Sequence, residues 1–150
     1  GEPTLQQAKL IPLLQELRQD NYWVEIETNG TVLLRDDFVE LLDQINCSPK
    51  LETSGKDNTK DKREKPDALK KLVESGKANF KFVVTSEQDL IEIKNLVEKY
   101  KMTEIYLMPE GRTNPEIQSK KEWLSELCAR HNFKFTSRLH IEKYGSRRGV

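Results

Sequence analysis

Four short polar motifs follow predicted strands, and their residue types suit the binding of a small polar ligand. They are Glu27-Thr28-Asn29-Gly30-Thr31, Ser48-Pro49-Lys50, Met108-Pro109-Glu110-Gly111 and the closing stretch from Arg138 to Val150. A serine offers a hydroxyl, a lysine offers a cation to a carboxylate, and a methionine packs well against an aromatic ring. Because parallel α/β sheets bind ligands beyond the carboxyl ends of their strands, we expect these motifs to share one site.

Alternating helix and strand patterns must position these motifs. Helical spacing predicts a first helix over 4–19, with Thr4 as its N-cap and Pro12 inside it. Ser86 and Asp89 resemble a capping box for a later helix. Further helices are expected over 35–43, 66–74 and 116–131, strands near 22–27, 44–48, 79–84 and 104–108, and extended segments over 133–136 and 139–141. The order predicts an α/β fold with a parallel sheet flanked by helices.

We interpret residues 1–150 as a single domain, with a C-terminal extension over 133–150. Residues 51–65 are almost entirely polar, so they predict a mobile charged loop. The first strand has an exposed edge unless another strand pairs with it. The opening Gly-Glu-Pro turn leads us to expect that such a strand precedes residue 1.

Composition limits the classes of partner. Lysine plus arginine and aspartate plus glutamate both number 25, which argues against a general nucleic-acid or membrane partner. The cluster of Arg138, Lys143, Arg147 and Arg148 is either a local basic patch or a solvated tail. Two distant cysteines form neither a disulfide framework nor a metal-binding motif. With no signal-peptide pattern or apolar span, we expect a cytoplasmic protein.

Taken in order, these motifs resemble the C-terminal two-thirds of the radical S-adenosylmethionine (SAM) enzymes, and specifically the 7-carboxy-7-deazaguanine synthase family. Gly1-Glu2-Pro3 resembles the end of a Gly-Gly-Glu-Pro motif, and Phe80-Lys81-Phe82-Val83-Val84 matches a family strand. Arg138-Leu139-His140-Ile141 and Arg148-Gly149-Val150 match the family's closing pattern. The resemblance implies a partial (βα)6 barrel that lacks its first two strands, with the four predicted strands as the third to sixth.

The same resemblance implies site residues. Those implied for SAM are Gly1, Glu2, Asn29, Ser48, Pro49, Lys50, Met108, Pro109, Glu110 and Gly111, with Glu27 and Thr28 as weaker candidates. His140 and the carboxylate of Val150 are implied for the substrate. Without the resemblance, the same residues also fit purely structural roles. Asn29 would be a left-handed turn residue, Lys50 a solvated side chain, Met108 a core residue and His140 a half-buried strand residue, and the C-terminus would be a frayed tail.

One family feature is absent. The family holds its [4Fe–4S] cluster with a Cys-x3-Cys-x2-Cys run, which this sequence lacks. Cys47 lies in the fourth-strand region of the family pattern and Cys128 in a predicted helix, so neither can substitute, and the family's magnesium ligand also lies outside the matched part. We therefore expect no catalytic residue, no cluster and no metal site in this chain, and no radical chemistry from it alone.

The resemblance implies that the complete enzyme is a homodimeric lyase that converts 6-carboxy-5,6,7,8-tetrahydropterin to 7-carboxy-7-deazaguanine, in queuosine biosynthesis. Its cofactors would be SAM, a [4Fe–4S] cluster and Mg²⁺. The chain would then need an N-terminal part or a complementary chain. The alternatives are a non-catalytic α/β nucleotide-binding module with a regulatory role and an interaction domain that uses its exposed strand edge.

Overall fold

The computed structural model describes residues 1–145 and Arg147. Its centre is a five-stranded sheet in the order β1 (Glu25–Thr28), β2 (Gln44–Cys47), β3 (Ala78–Val84), β4 (Ile105–Pro109) and β5 (Lys134–Phe135). All four pairings are parallel, with Thr28 beside Cys47 and Val83 beside Met108. The strands follow chain order, so right-handed crossovers place the connecting helices on one face of the sheet.

Seven α-helices accompany the sheet among the described residues. They are α1 (Gln7–Gln19), α2 (Asp36–Glu40), α3 (Lys60–Arg63), α4 (Pro66–Glu74), α5 (Asp89–Tyr100), α6 (Asn114–His131) and α7 (Leu139–Tyr144), with short 3-10 turns at Pro3–Gln6 and Glu52–Ser54. None of these helices is both long and apolar enough to cross a membrane.

The two faces of the sheet differ in chemistry because side chains alternate along each strand. On the helix-covered face, Ile45, Cys47, Phe80, Phe82 and Leu107 are all fully buried. They form the core together with helix residues such as Phe38, Leu72, Ile93 and Leu124. The opposite face, here called the polar face, carries Glu25, Glu27, Gln44, Asn46, Asn79, Lys81 and Tyr106. The apolar core therefore lies on one side of the sheet.

The expected fold class is confirmed: an α/β fold with a parallel sheet flanked by helices. The predicted strands near 22–27, 44–48, 79–84 and 104–108 are all present with small shifts of their ends. Strand β1 pairs only with β2 among the described residues, so it is an edge strand as expected. The prediction of a single domain with a C-terminal extension over 133–150 stays a prediction.

Two local predictions are wrong, and a third is only partly right. The extended segment expected over 139–141 is the start of α7. Thr4 is not a helix cap; the Glu2 carboxylate caps the first turn by accepting from the Thr4 backbone amide at 3.2 Å. The Ser86 hydroxyl does not cap α5, although Asp89 accepts from the Ser86 backbone amide at 3.3 Å, which is the other half of the expected capping box. At the first turn of the chain, a carboxylate provides the acceptor that the Thr4 hydroxyl was expected to provide.

The 51–65 segment has more structure than its composition suggests. Arg63 donates from Nη2 and Nε to Glu92 Oε1 at 2.7 and 3.1 Å, and Thr53 donates to the buried Asp89 at 2.9 Å. Glu64 accepts from the Tyr100 hydroxyl at 2.6 Å. These bonds attach the segment to α5, while its mobility stays a prediction.

Candidate functional site

A cleft of about 560 Å³ lies at the carboxyl ends of the strands. This volume falls within the range of small-molecule sites. Its lining comes from the amino terminus, the ends of β1 to β4 and the chain after β5: Gly1, Glu2, Glu27, Thr28, Asn29, Ser48, Lys50, Lys81, Val83, Met108, Thr136, Ser137, Arg138, Leu139 and His140. The motifs after residues 27, 48 and 108 therefore reach one common cleft.

Glu2 holds the first side of this cleft together. Its Oε1 accepts from the hydroxyls of Thr4 and Thr28 at 2.6 and 2.8 Å, and its Oε2 accepts from the Asn29 backbone amide at 2.8 Å. Burial alone would raise the pKa of Glu2, but the hydrogen bonds from Thr4, Asn29 and Thr28 outweigh it and lower the pKa. The ionised carboxylate thus joins the amino-terminal segment to the end of β1.

The turn after β1 is formed by its own side chains. Thr31 donates from its backbone amide and its hydroxyl to Asn29 Oδ1 at 2.9 and 2.6 Å, which forms an Asx turn. Gly30 has φ +75°, so the left-handed residue is Gly30 and not Asn29, as the turn interpretation had expected. A Cβ at Gly30 would lie 2.7 Å from Cys47 Sγ, so glycine also allows the turn to approach β2.

Two lysines bring positive charge into the cleft. Lys50 is exposed at its rim after β2, and Lys81 is half-buried on β3. Neither lysine forms an ion pair within residues 1–145 and 147. Ammonium groups in this position can accept an anionic ligand such as a carboxylate.

The motif after β4 divides between the cleft and the scaffold. Met108 lines the cleft, whereas Pro109 is buried on the opposite face of β4. Glu110 pairs with Lys120 at 2.9 Å, and a Cβ at Gly111 would lie 2.9 Å from Ile117 Cδ1. The close approach at Gly111 is therefore that of a side chain on α6. Pro49 is likewise outside the cleft lining.

The chain after β5 closes the other side of the cleft. Arg138 Nη1 donates to the Gly111 carbonyl at 2.9 Å, which ties this segment to the loop after β4. His140 lies on α7 at the cleft rim and is exposed, so the interpretation as a half-buried strand histidine is wrong. Val150 and Arg148 lie outside the described residues.

Sequence reasoning missed several lining residues, namely Lys81, Val83, Thr136 and Ser137. One signal was available for Lys81. It lies between Phe80 and Phe82 in an alternating strand, so it must point away from the core. Thr136 and Ser137 gave no such signal, because strand β5, which precedes them, has only two residues.

The cysteines do not suit an iron–sulfur cluster, which needs several converging thiolates. Burial, with a smaller effect of Glu2, raises the pKa of the Cys47 thiol, and this side chain lies on the helix-covered face. Burial also raises the pKa of Cys128 to about 11 on α6. Residues 1–145 and 147 include no cluster of three or more histidine, cysteine or acidic side chains that could hold a metal ion.

The fold is a parallel α/β domain with a cleft at the carboxyl ends of its strands. Among solved structures, the chain resembles the crystal structure of Streptococcus suis SuiB bound to S-adenosylmethionine, with a TM-score of 0.59 and 18% identity. That likeness covers 96% of this chain and 40% of SuiB, and at this identity it concerns the fold alone. No protein-family model matches the sequence.

The chain is related in sequence to the 7-carboxy-7-deazaguanine synthases. It is 30% identical to the synthase of Rhodopirellula baltica over 162 residues, covering 100% of this chain and 61% of that protein. It is 30% identical to the Halobacterium salinarum synthase, covering 94% of this chain and 61% of that one. The Pyrobaculum aerophilum synthase is 28% identical, with 99% and 64% covered. The chain thus spans about three fifths of the length of these relatives.

Proposed function

We propose that the cleft binds SAM, and that the chain forms the cofactor-facing and substrate-facing part of an enzyme that makes 7-carboxy-7-deazaguanine. The substrate would be 6-carboxy-5,6,7,8-tetrahydropterin, and ring contraction with loss of ammonia would give the product. The observation that carries the proposal is that the motifs after β1, β2 and β4 line one cleft. The sequence relation to named synthases supports the particular reaction.

The lining residues fit SAM chemically. The Lys50 ammonium suits the methionyl carboxylate, the Gly1 carbonyl suits the methionyl ammonium, and the Ser48 hydroxyl suits the ribose. Met108 suits the edge of the adenine ring. When bound, SAM supplies the group that removes a hydrogen atom from the substrate. Glu2 acts indirectly in this proposal, because its carboxylate oxygens already accept from Thr4, Thr28 and Asn29.

His140, at the cleft rim on α7, would contact the bicyclic substrate in this proposal. The resemblance implies that the terminal carboxylate of Val150 contacts the substrate too. The [4Fe–4S] cluster does not fit the cysteines of this chain, so in this proposal its ligands and those of Mg²⁺ come from another polypeptide segment. The exposed edge of β1 is where such a segment would join the sheet. A homodimeric, cytoplasmic enzyme with no nucleic-acid or membrane partner is part of the same proposal.

Calorimetric titration with SAM tests the cofactor site. We expect wild-type binding, and a loss of about tenfold or more in Lys50→Met, since a charge-assisted contact contributes about 1.5–3 kcal/mol. Lys70→Met is the matched control, because Lys70 is exposed on α4, outside the cleft lining. Absence of SAM binding to the folded wild-type chain would refute the cofactor site.

A reconstitution experiment tests the reaction. A companion polypeptide with a Cys-x3-Cys-x2-Cys run is mixed with this chain under anaerobic conditions with iron and sulfide. Formation of 7-carboxy-7-deazaguanine is then followed by mass spectrometry. Turnover that needs both polypeptides supports the proposal, and turnover by the companion alone refutes a role for this chain.

An interaction domain is the second candidate function. The exposed edge strand β1 follows Tyr22 and Trp23, which are 58% and 68% exposed, and this surface favours pairing with another chain. The two candidates separate in the SAM titration, because an interaction domain alone would show no SAM binding.

A further inference from the structure

Lys81 is a charged residue of the cleft to which neither the resemblance nor the proposed SAM contacts assign a ligand. It lies on the polar face of the central strand β3, where Lys81 is directly paired with Tyr106 of β4. Since Cys47 pairs with Phe80, the next residues Ser48 and Lys81 are neighbours across β2 and β3. Lys81 therefore lies on the sheet beneath the cleft, between the motifs of the second and fourth strands.

The charge of Lys81 has no ion-pair partner within residues 1–145 and 147, although the residue is half-buried. The two acids of the cleft do not offset it: Glu2 is held by Thr4, Thr28 and Asn29, and Glu27 lies on the edge strand two strands away. A half-buried ammonium gains most from a ligand anion, because water solvates it less fully than an exposed one.

The proposed ligands bring two carboxylates into one cleft, that of SAM and that of the 6-carboxypterin ring system. Two lysines of the cleft, Lys50 and Lys81, form no ion pair in the part of the chain that the structure describes, and they differ in depth. Lys50 follows β2 and is exposed, whereas Lys81 is half-buried on β3 beside Tyr106 of β4. Arg138, the other cation of that side, already donates to the Gly111 carbonyl.

We propose that Lys81 binds the carboxylate of the bicyclic substrate and is the residue that selects a carboxylated pterin over an uncarboxylated one. This inference rests on the proposed function, and it assigns the substrate carboxylate to Lys81 as its binding partner. Lys50 and Lys81 then have separate roles, each with one anion, and neither substitutes for the other.

The test uses two fluorescent probes, 6-carboxypterin and pterin, titrated into the chain with and without saturating SAM. We expect wild type to prefer 6-carboxypterin by about tenfold, the effect of one charge-assisted contact. Lys81→Met should abolish this preference and leave SAM affinity unchanged, and Lys81→Arg should retain part of it. Lys50→Met should lower SAM affinity and keep the preference.

Several results would overturn the inference. They are a wild type that binds neither probe or binds both equally, a preference that survives in Lys81→Met, or an equal loss in the control Lys70→Met. Circular dichroism establishes that each variant is folded. SAM binding and pterin preference are measured in separate titrations. Loss of SAM binding bears on the proposed function, whereas loss of the pterin preference with SAM binding intact bears on this inference alone.

Discussion

Replacing Gly30 by alanine should destabilise the protein strongly, and the structure separates two causes. Gly30 has φ +75°, a left-handed backbone that disfavours any Cβ. The added Cβ would also lie 2.7 Å from Cys47 Sγ, with Leu69 Cδ2 at 3.3 Å and Leu72 Cδ1 at 3.5 Å. All three neighbours are core residues, so there is little room to relax.

The two causes can be given magnitudes. A left-handed backbone costs a residue with a side chain about 1–2 kcal/mol, and overpacking a core costs about 1–3 kcal/mol. The free energy of unfolding should therefore fall by about 2–5 kcal/mol in Gly30→Ala. Gly76→Ala is the matched control, because Gly76 has φ +64° but no atom within 4 Å of the added Cβ. It should lose only the backbone contribution of about 1–2 kcal/mol.

Urea unfolding followed by far-ultraviolet circular dichroism measures both variants. A double variant, Gly30→Ala with Cys47→Ala, removes the sulfur that the new Cβ would meet. Its loss of stability should be smaller than the sum of the two single losses, because the residues are in direct contact. Equal losses in Gly30→Ala and Gly76→Ala, or strict additivity in the double variant, would refute the steric argument.

Three further predictions concern other contacts. The lowered pKa of Glu2 means that its carboxylate stabilises the fold above its ordinary pKa of 4.5 and that this contribution disappears as pH falls through the folded value. The stability difference between wild type and Glu2→Gln in urea should therefore be largest near neutral pH and shrink in acid; a constant difference contradicts it. Arg63→Ala should speed tryptic cleavage within residues 52–64, since it removes a partly buried contact with Glu92 worth about 1–3 kcal/mol; Arg112→Ala serves as the exposed control, and unchanged cleavage contradicts it. Thr113→Ala should lower the free energy of unfolding by about 1 kcal/mol, because Thr113 caps α6, and a null effect in urea argues against that cap.

The longer strands and helices were predictable because each shows the hydrophobic periodicity of its own secondary structure over a few neighbouring residues. Phe80, Phe82 and Val84 alternate with half-buried positions, and the structure has a seven-residue strand there. Helix α6 was predicted for the same reason, since Leu124, Leu127 and Cys128 recur on one face. The long crossovers between strands then indicate parallel pairing, which places the polar motifs together at the carboxyl ends of the strands.

The features that the sequence did not predict depend on a short element or on partners that are distant in sequence. The six residues of α7 are too few to show a helical period, and Leu139 and Ile141 therefore suggested a strand. The 51–65 segment was judged only by its few apolar residues, but its attachment comes from Arg63 bonding Glu92, 29 positions away. The packing of α6 against Gly111 was not anticipated either, and a ligand contact at Gly111 stays a prediction.

The separation of the two sheet faces has a consequence for how this domain tolerates change. Folding depends on the helix-covered face, which carries Phe80, Phe82 and Leu107. Lys81 and Tyr106, on the polar face, contribute little to the apolar core. Substitutions on the second face should thus alter ligand preference while leaving the scaffold intact. Such a division lets new specificities be selected, or engineered, without first rebuilding the protein that presents them.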